Sequence, residues 1–268
     1  MLQKQRNADA NSQGSYVGLA EWKTNLIDAL MAAGALKTGD TYTYVLKSGR
    51  ESPYFLNIGD VNYGSVTATL ARAYASTIAD VVAYNGNKWK EIAIYGIPEK
   101  GVAFASPTTI QLWQDFGIDA YWLYTRKGAA KTYGEATNLS GDDVSKMIIG
   151  KVATGKIKIL LLDDVLTTGD TKYAAVDELH ALLGDPKIAG LVIAVDRQEV
   201  GTDGKNAVQE FTANTNVPVY ASLNTTEIRR YLRTKEDYEQ SSIRIARYLR
   251  TYGTDAAKDA VISDGLEE

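Results

Sequence analysis

At 268 residues, with 45% hydrophobic and 23% charged side chains, the chain has the length and composition of one large soluble α/β domain, or of a core with an appendage. A net charge of −4 excludes a broadly basic nucleic-acid or anionic-membrane binder, though not local basic clusters. No cysteine and a single histidine exclude disulfides, thiolate chemistry and multi-histidine metal centres, and no apolar run approaches the roughly 18 residues of a membrane span.

Residues 1–15 are polar and aperiodic and read as a disordered tail. The start has no signal-peptide apolar region, so a cytoplasmic location is expected. Leu19, Trp22, Leu26 and Leu30 then mark one helical face that ends near Gly34. Residues 41–47 and 52–57 flank Ser48-Gly49-Arg50-Glu51 and predict a β-hairpin. Leu70, Tyr74, Ile78 and Val81 line a second helix, closed by Asn85-Gly86-Asn87. From there strands and helices alternate: strand 91–95, loop 96–101, helix 102–116 and strand 120–124. Residues 126–146 have no apolar period and read as a long polar loop. Strand 156–162, helix 171–184, strand 190–195, helix 205–213 and strand 217–221 complete the pattern, which predicts a parallel sheet flanked by helices. Residues 225–250 form a basic amphipathic helical region, read as a solvated face that packs through Ile228, Leu232, Ile243 and Leu249. The acidic stretch 254–268 is expected to fray, which leaves 16–253 as a single domain with a small N-terminal hood of helix and hairpin.

Ligands of such sheets bind at the carboxyl ends of the strands. At the end of strand 156–162 stand Asp163 and Asp164, followed by Val165, Leu166, Thr167, Thr168, Gly169, Asp170 and Thr171 at the start of a helix. Neighbouring side chains on a strand point to opposite sides, so both carboxylates reach one ligand only if the chain turns there. Carboxylates accept hydrogen bonds from vicinal hydroxyls, and the loop N–H groups and helix N-terminus hold a phosphate. The alternative is an acidic pair that ends a strand and caps the next helix. Asp170, which would repel a phosphate, is expected to turn outward and cap the helix, offering only its N–H inward.

Leu162–Thr171 resembles the phosphoribosyl-pyrophosphate signature of type I phosphoribosyltransferases. Leu46–Phe55, Glu99-Lys100-Gly101, Arg126-Lys127 with Lys131 and Gly134-Glu135, and Asp196-Arg197-Gln198-Glu199 narrow the resemblance to the orotate phosphoribosyltransferase family. It covers about residues 16–253 and implies that family's fold. The reaction it implies moves a 5-phosphoribosyl group from phosphoribosyl pyrophosphate to orotate, giving orotidine 5′-monophosphate and pyrophosphate. It assigns Lys131, Asp163 and Asp164 as catalytic. Orotate contacts fall to Phe55, Leu56, Thr167 and Arg197, the last pairing with the orotate carboxylate. Phosphoribosyl-pyrophosphate contacts fall to Lys47, Glu99, Lys100, Arg126, Lys127, Lys131, Tyr133 and residues 163–171. The resemblance also implies Mg²⁺, held mainly by substrate and water near Asp163 and Asp164 with no direct protein ligand required. The partner it implies is a second copy, in a homodimer whose polar loop closes over the neighbouring subunit's site. No nucleic-acid or membrane partner is expected.

The sequence departs from that family's pattern in places. Tyr133 stands where the mobile loop usually carries a histidine, Leu56 where a second aromatic is common, and Asp170 where a small or hydroxylic residue is usual. The loop has an extra residue between Lys127 and Lys131 and an insertion toward Lys156, while His180, the one histidine, reads as a helix-surface residue. A purine or other pyrimidine phosphoribosyltransferase would keep 163–171 without needing Arg197 or the hairpin. A non-enzymatic sensor of phosphoribosyl pyrophosphate would have no use for the loop cations.

Overall fold

The computed structural model describes residues 18–89, 91–126, 146–150, 157–166, 169–201 and 203–265. They divide into two compact units, one holding residues up to Val61 together with those from Thr225 onward, the other Asn62–Asn224. The N-terminal helix and hairpin, expected as a hood, share their unit with the C-terminal helices.

The smaller unit opens with helix α1 (Glu21–Ala32), whose Leu26, Ile27 and Leu30 are buried. Strand β1 (Leu36–Thr38) follows, and the hairpin is present in short form as β2 (Tyr44–Val45) against β3 (Glu51–Ser52). The next strand, β4 (Tyr54–Leu56), pairs antiparallel with β1, with Lys37 opposite Phe55. Sequence periodicity did not separate these two three-residue strands from the hairpin, because such short segments carry too few residues to show alternation.

The larger unit begins with helix α2 (Gly64–Tyr84), which buries Leu70, Tyr74, Ile78 and Val81 as its spacing predicts. Strand β5 (Ile92–Gly96), helix α3 (Lys100–Phe116), strand β6 (Tyr121–Thr125), a short β7 (Ile148–Ile149), strand β8 (Lys158–Val165), helix α4 (Asp170–Leu183), strand β9 (Lys187–Asp196), helix α5 (Ala207–Thr215) and strand β10 (Val219–Asn224) follow. The sheet order is β10-β9-β8-β5-β6-β7, parallel throughout except for β7 on the edge. This is the α/β sheet expected from the alternating pattern. Leu160, Leu161 and Leu162 at its centre are fully buried, as a strand covered on both faces requires. The aliphatic side chains of β8 and β9 pack with Val176 and Leu179 of α4 and Phe211 of α5.

Three expectations are corrected. Strand β8 does not end at Leu162 but continues through both aspartates, with Asp163 opposite Ile193 and Val165 opposite Val195. Beyond β10 the chain returns to the smaller unit as α6 (Thr225–Leu232), α7 (Glu239–Tyr252) and α8 (Asp255–Ser263). The stretch expected to fray is therefore helical over Asp255–Ser263, anchored by buried Ala257 and Val261. The basic face is also not wholly solvated. Arg229 is fully buried, and its guanidinium pairs with Asp264, which binds Arg230 as well. Burial, with Arg230 and Arg233 close by, pulls Arg229 down to about 10. Among the described residues no helix is long and apolar enough to cross a membrane.

Candidate active site

The carboxyl ends of β5, β8 and β9 lie side by side, with Gly96 opposite Leu162 and Val165 opposite Val195. After Gly96 the chain turns across the end of β8, and the Ile97 N–H donates to the Leu162 carbonyl at 3.0 Å. Two glycines make that crossing possible. A Cβ on Gly101 would lie 2.1 Å from the Leu162 carbonyl oxygen, and one on Gly96 would lie 2.7 Å from the Gly101 carbonyl oxygen. Helix α3 therefore starts directly against β8, which brings its first residue, Lys100, to the acidic pair. The Lys100 ammonium stands 2.7 Å from Asp164 Oδ2, and the lysine side chain is 49% exposed against 11% for the aspartate. Glu99 precedes it at the helix cap, exposed.

Asp163 and Asp164 are both buried. Asp163 Oδ1 accepts the Asp164 N–H at 2.9 Å, and Asp164 Oδ1 accepts the Val165 N–H at 2.7 Å. The fully buried Tyr74 of α2 donates its hydroxyl to the Asp163 carbonyl at 2.9 Å, fixing the strand end from below. The chain does not turn at the pair, yet the two carboxylates share one neighbour: Lys172 lies 2.7 Å from Asp163 Oδ2 and 4.0 Å from Asp164 Oδ1. Burial raises the Asp163 carboxyl above its ordinary value, and Lys172 opposes that rise. Sequence reasoning missed Lys172. The available signal was a lysine in the first turn of a helix, where the helix dipole disfavours a cation, directly after two carboxylates.

Helix α4 begins at Asp170, with Gly169 at the cap position. Gly169 has φ 82°, a left-handed conformation that glycine adopts at little cost. Asp170 is exposed, as expected, but it is the first helical residue and not the cap. An acidic side chain there suits the helix dipole and leaves the backbone N–H groups of the first turn for a ligand. Thr171 is exposed beside it, Leu166 is buried and Val165 half-buried. Thr167 and Thr168, like Lys127, Lys131 and Tyr133, lie outside the described residues.

At the end of β6, Arg126 donates its backbone N–H to Met147 at 2.8 Å. Its Nε is buried, with no hydrogen-bond partner among the described residues. At the end of β9, the Asp196 carboxylate accepts the Gln198 N–H at 2.8 Å and bends the chain, so that Arg197 follows the strand directly. The guanidinium of Arg197 is held by Glu199, with Nη2 at 2.6 Å and Nε at 2.9 Å from Oε1. Lys100, Lys172, Asp163 and Asp164 thus form one cluster, and Arg197 closes the adjoining strand. Lys47, Phe55 and Leu56 belong to the smaller unit. There Lys47 is exposed, and the Phe55 ring stacks on Tyr44 with centroids 5.6 Å apart. His180 lies exposed on α4, as expected, with Nδ1 3.4 Å from the Gly184 carbonyl.

An arrangement of this kind offers hydroxyl acceptors, cations for a departing polyanion and a helix N-terminus for a phosphate. No family model matches the chain. It is 31% identical to the orotate phosphoribosyltransferase of Alteromonas mediterranea over 235 residues, 87% of this chain and 98% of that protein. It is 33% identical to that of Saccharophagus degradans over 236 residues, 87% of this chain and 99% of the relative. Among solved structures, the orotate phosphoribosyltransferase of Francisella tularensis is similar at TM-score 0.67 and 29% identity, over 86% of this chain and all of that one. The UMP synthase of Leishmania donovani shares the fold at TM-score 0.60 and 19% identity, over 85% of this chain and 42% of its own.

Proposed function

The chain belongs to the orotate phosphoribosyltransferase family, and from that membership we propose how its residues perform the reaction. The enzyme transfers the 5-phosphoribosyl group of phosphoribosyl pyrophosphate to orotate, a step of pyrimidine biosynthesis. The bond from C1′ to pyrophosphate breaks and a bond to the orotate ring nitrogen forms, through an electron-poor ribosyl centre. The protein's tasks are therefore to position both substrates and to neutralise the leaving group.

The observation that carries the assignment is the cluster at the end of β8: Asp163 and Asp164 with Lys100 and Lys172, beside the N-terminus of α4. Asp163 and Asp164 supply the carboxylate face for the ribose hydroxyls. Lys100, half-exposed, moves from Asp164 to the pyrophosphate as the hydroxyls arrive. Backbone N–H groups from Gly169 to Thr171, with the Thr167 and Thr168 hydroxyls, take the 5′-phosphate, while Asp170 stays outside. Arg126, whose buried Nε has no hydrogen-bond partner among the described residues, serves the pyrophosphate together with Glu99, Lys127, Lys131 and Tyr133. Each hydrogen bond to an ionised phosphate contributes about 1.5–3 kcal/mol, so several acting together supply much of the acceleration. Lys131 is the principal catalytic cation.

Arg197 leaves Glu199 to hold the orotate carboxylate, since its fork suits a planar anion. Phe55 and Leu56 lie against the pyrimidine, Thr167 contacts both substrates, and Lys47 reaches phosphoribosyl pyrophosphate.

The donor set fits Mg²⁺ as a substrate-borne ion. The hard oxygens of Asp163 and Asp164 suit it. Bound there with the substrate, the ion would offset the negative charge that builds on the leaving pyrophosphate.

A homodimer with the 126–146 loop closing over the neighbouring site fits the exposed Ile110, Trp113 and Phe116 on α3.

Orotate consumption with phosphoribosyl pyrophosphate and Mg²⁺ tests the assignment. Arg197→Ala raises KM for orotate about tenfold or more, the loss of a charged hydrogen-bond pair. Lys131→Ala lowers kcat. Unchanged orotate kinetics in both variants would remove these roles.

A further inference from the structure

Lys172 has no role in the reading above beyond its place in the acidic cluster, yet it is the most tightly placed cation in the site. It is the third residue of α4, within the first turn, where the helix dipole opposes positive charge. Its side chain is 9% exposed and that of Asp163 is 7% exposed, so the ammonium has left water for this pair. A buried charge persists only where partners compensate it, and the compensation here is two carboxylates at 2.7 Å and 4.0 Å. The two lysines divide the acidic pair. Lys100 is half-exposed and, among the described residues, pairs with Asp164, whereas Lys172 is buried, lies 2.7 Å from Asp163 and comes within 4.0 Å of Asp164 as well.

We propose that Lys172 is a positioning residue, a built-in counter-ion that holds the Asp163 carboxylate turned inward and occupies the space between the two aspartates that a divalent cation would otherwise take. The consequence is that a divalent cation binds the substrate-free acidic pair only weakly. The proposal rests on the phosphoribosyl reading of the site. It adds a residue that touches no substrate and acts through Asp163.

The test uses the full chain and two readouts: Mn²⁺ binding to the substrate-free enzyme by electron paramagnetic resonance, and KM for phosphoribosyl pyrophosphate against kcat. The wild type binds Mn²⁺ weakly without substrate, and Lys172→Met binds it at least tenfold more tightly, because two uncompensated carboxylates are left. The same variant raises KM for phosphoribosyl pyrophosphate about tenfold with a smaller change in kcat, and Lys172→Arg recovers most of that loss. Adding Asp163→Asn to Lys172→Met removes the gained Mn²⁺ affinity. Wild-type Mn²⁺ affinity and wild-type KM in Lys172→Met would overturn the proposal. If that variant does not fold, Asp163→Asn is compared with Asp163→Asn/Lys172→Met. A residue acting through Asp163 then leaves KM for phosphoribosyl pyrophosphate within about twofold, and a tenfold further rise would overturn the proposal by showing direct contact with substrate. Failure of the wild type itself to bind phosphoribosyl pyrophosphate would overturn the reading of the site, and the proposal with it.

Discussion

The Lys100–Asp164 pair joins a half-exposed ammonium to a buried carboxylate, and the proposed exchange draws Lys100 from it to the pyrophosphate. The carboxylate left behind by Lys100→Ala keeps only Lys172, at 4.0 Å, as a cationic neighbour among the described residues. Lys100→Ala therefore lowers stability by more than the roughly 0–1 kcal/mol typical of a surface pair and lowers kcat/KM about tenfold or more, as denaturant titration and steady-state rates on one preparation will show. Asp196 behaves differently. Burial raises its carboxyl above the ordinary value of 3.8, Glu199 adds to the rise and the Gln198 N–H opposes it. A carboxyl whose folded value is raised binds its proton more tightly in the native state, so its ionisation costs stability as pH climbs from 3.8 through the raised value. Asp196→Asn keeps an acceptor for Gln198 and removes that charge. Its thermal midpoint exceeds the wild type's at pH 7, and the difference closes as the pH falls toward 3.8.

The elements that position the site depend on two close approaches of backbone. Gly101 lets α3 start against the Leu162 carbonyl, and an added Cβ would meet that oxygen at 2.1 Å, where neither side is a flexible side chain. Gly101→Ala costs about 1–3 kcal/mol as overpacking and also raises KM for phosphoribosyl pyrophosphate, because Lys100 moves with the helix start. Thermal unfolding and steady-state kinetics measure the two effects separately. Much of this architecture was legible in the sequence, since long apolar strands alternating with amphipathic helices leave few choices. The end of β8 was not. Apolar periodicity stops at Leu162, whereas backbone pairing with Ile193 and Val195 carries the strand through two charged residues. Arg229 looks like a surface cation until Asp264, distant in the chain, is placed against it, and Lys172 until its helix is packed against the end of β8. Helix α8 escaped notice for the same reason, because its acidic, small-residue composition hides the anchors Ala257, Val261 and Asp264.

At the scale of the whole molecule, the division into two units splits the residues assigned to the donor as well as those assigned to the acceptor. The carboxylates, Lys100, Arg126, the start of α4 and Arg197 belong to Asn62–Asn224, while Lys47, Phe55 and Leu56 lie in the unit formed by the two chain ends. In the proposed assignment the segment 163–171 serves the phosphoribosyl donor, with Thr167 also touching the base, and the orotate carboxylate is left to Arg197 at the end of β9. Initial rates at saturating phosphoribosyl pyrophosphate and Mg²⁺, compared for orotate, uracil and hypoxanthine, test this most directly. Orotate is expected to disappear rapidly with matching release of pyrophosphate, while the two bases without a carboxylate react at negligible rates. Turnover of uracil or hypoxanthine without turnover of orotate would overturn the assignment of the base.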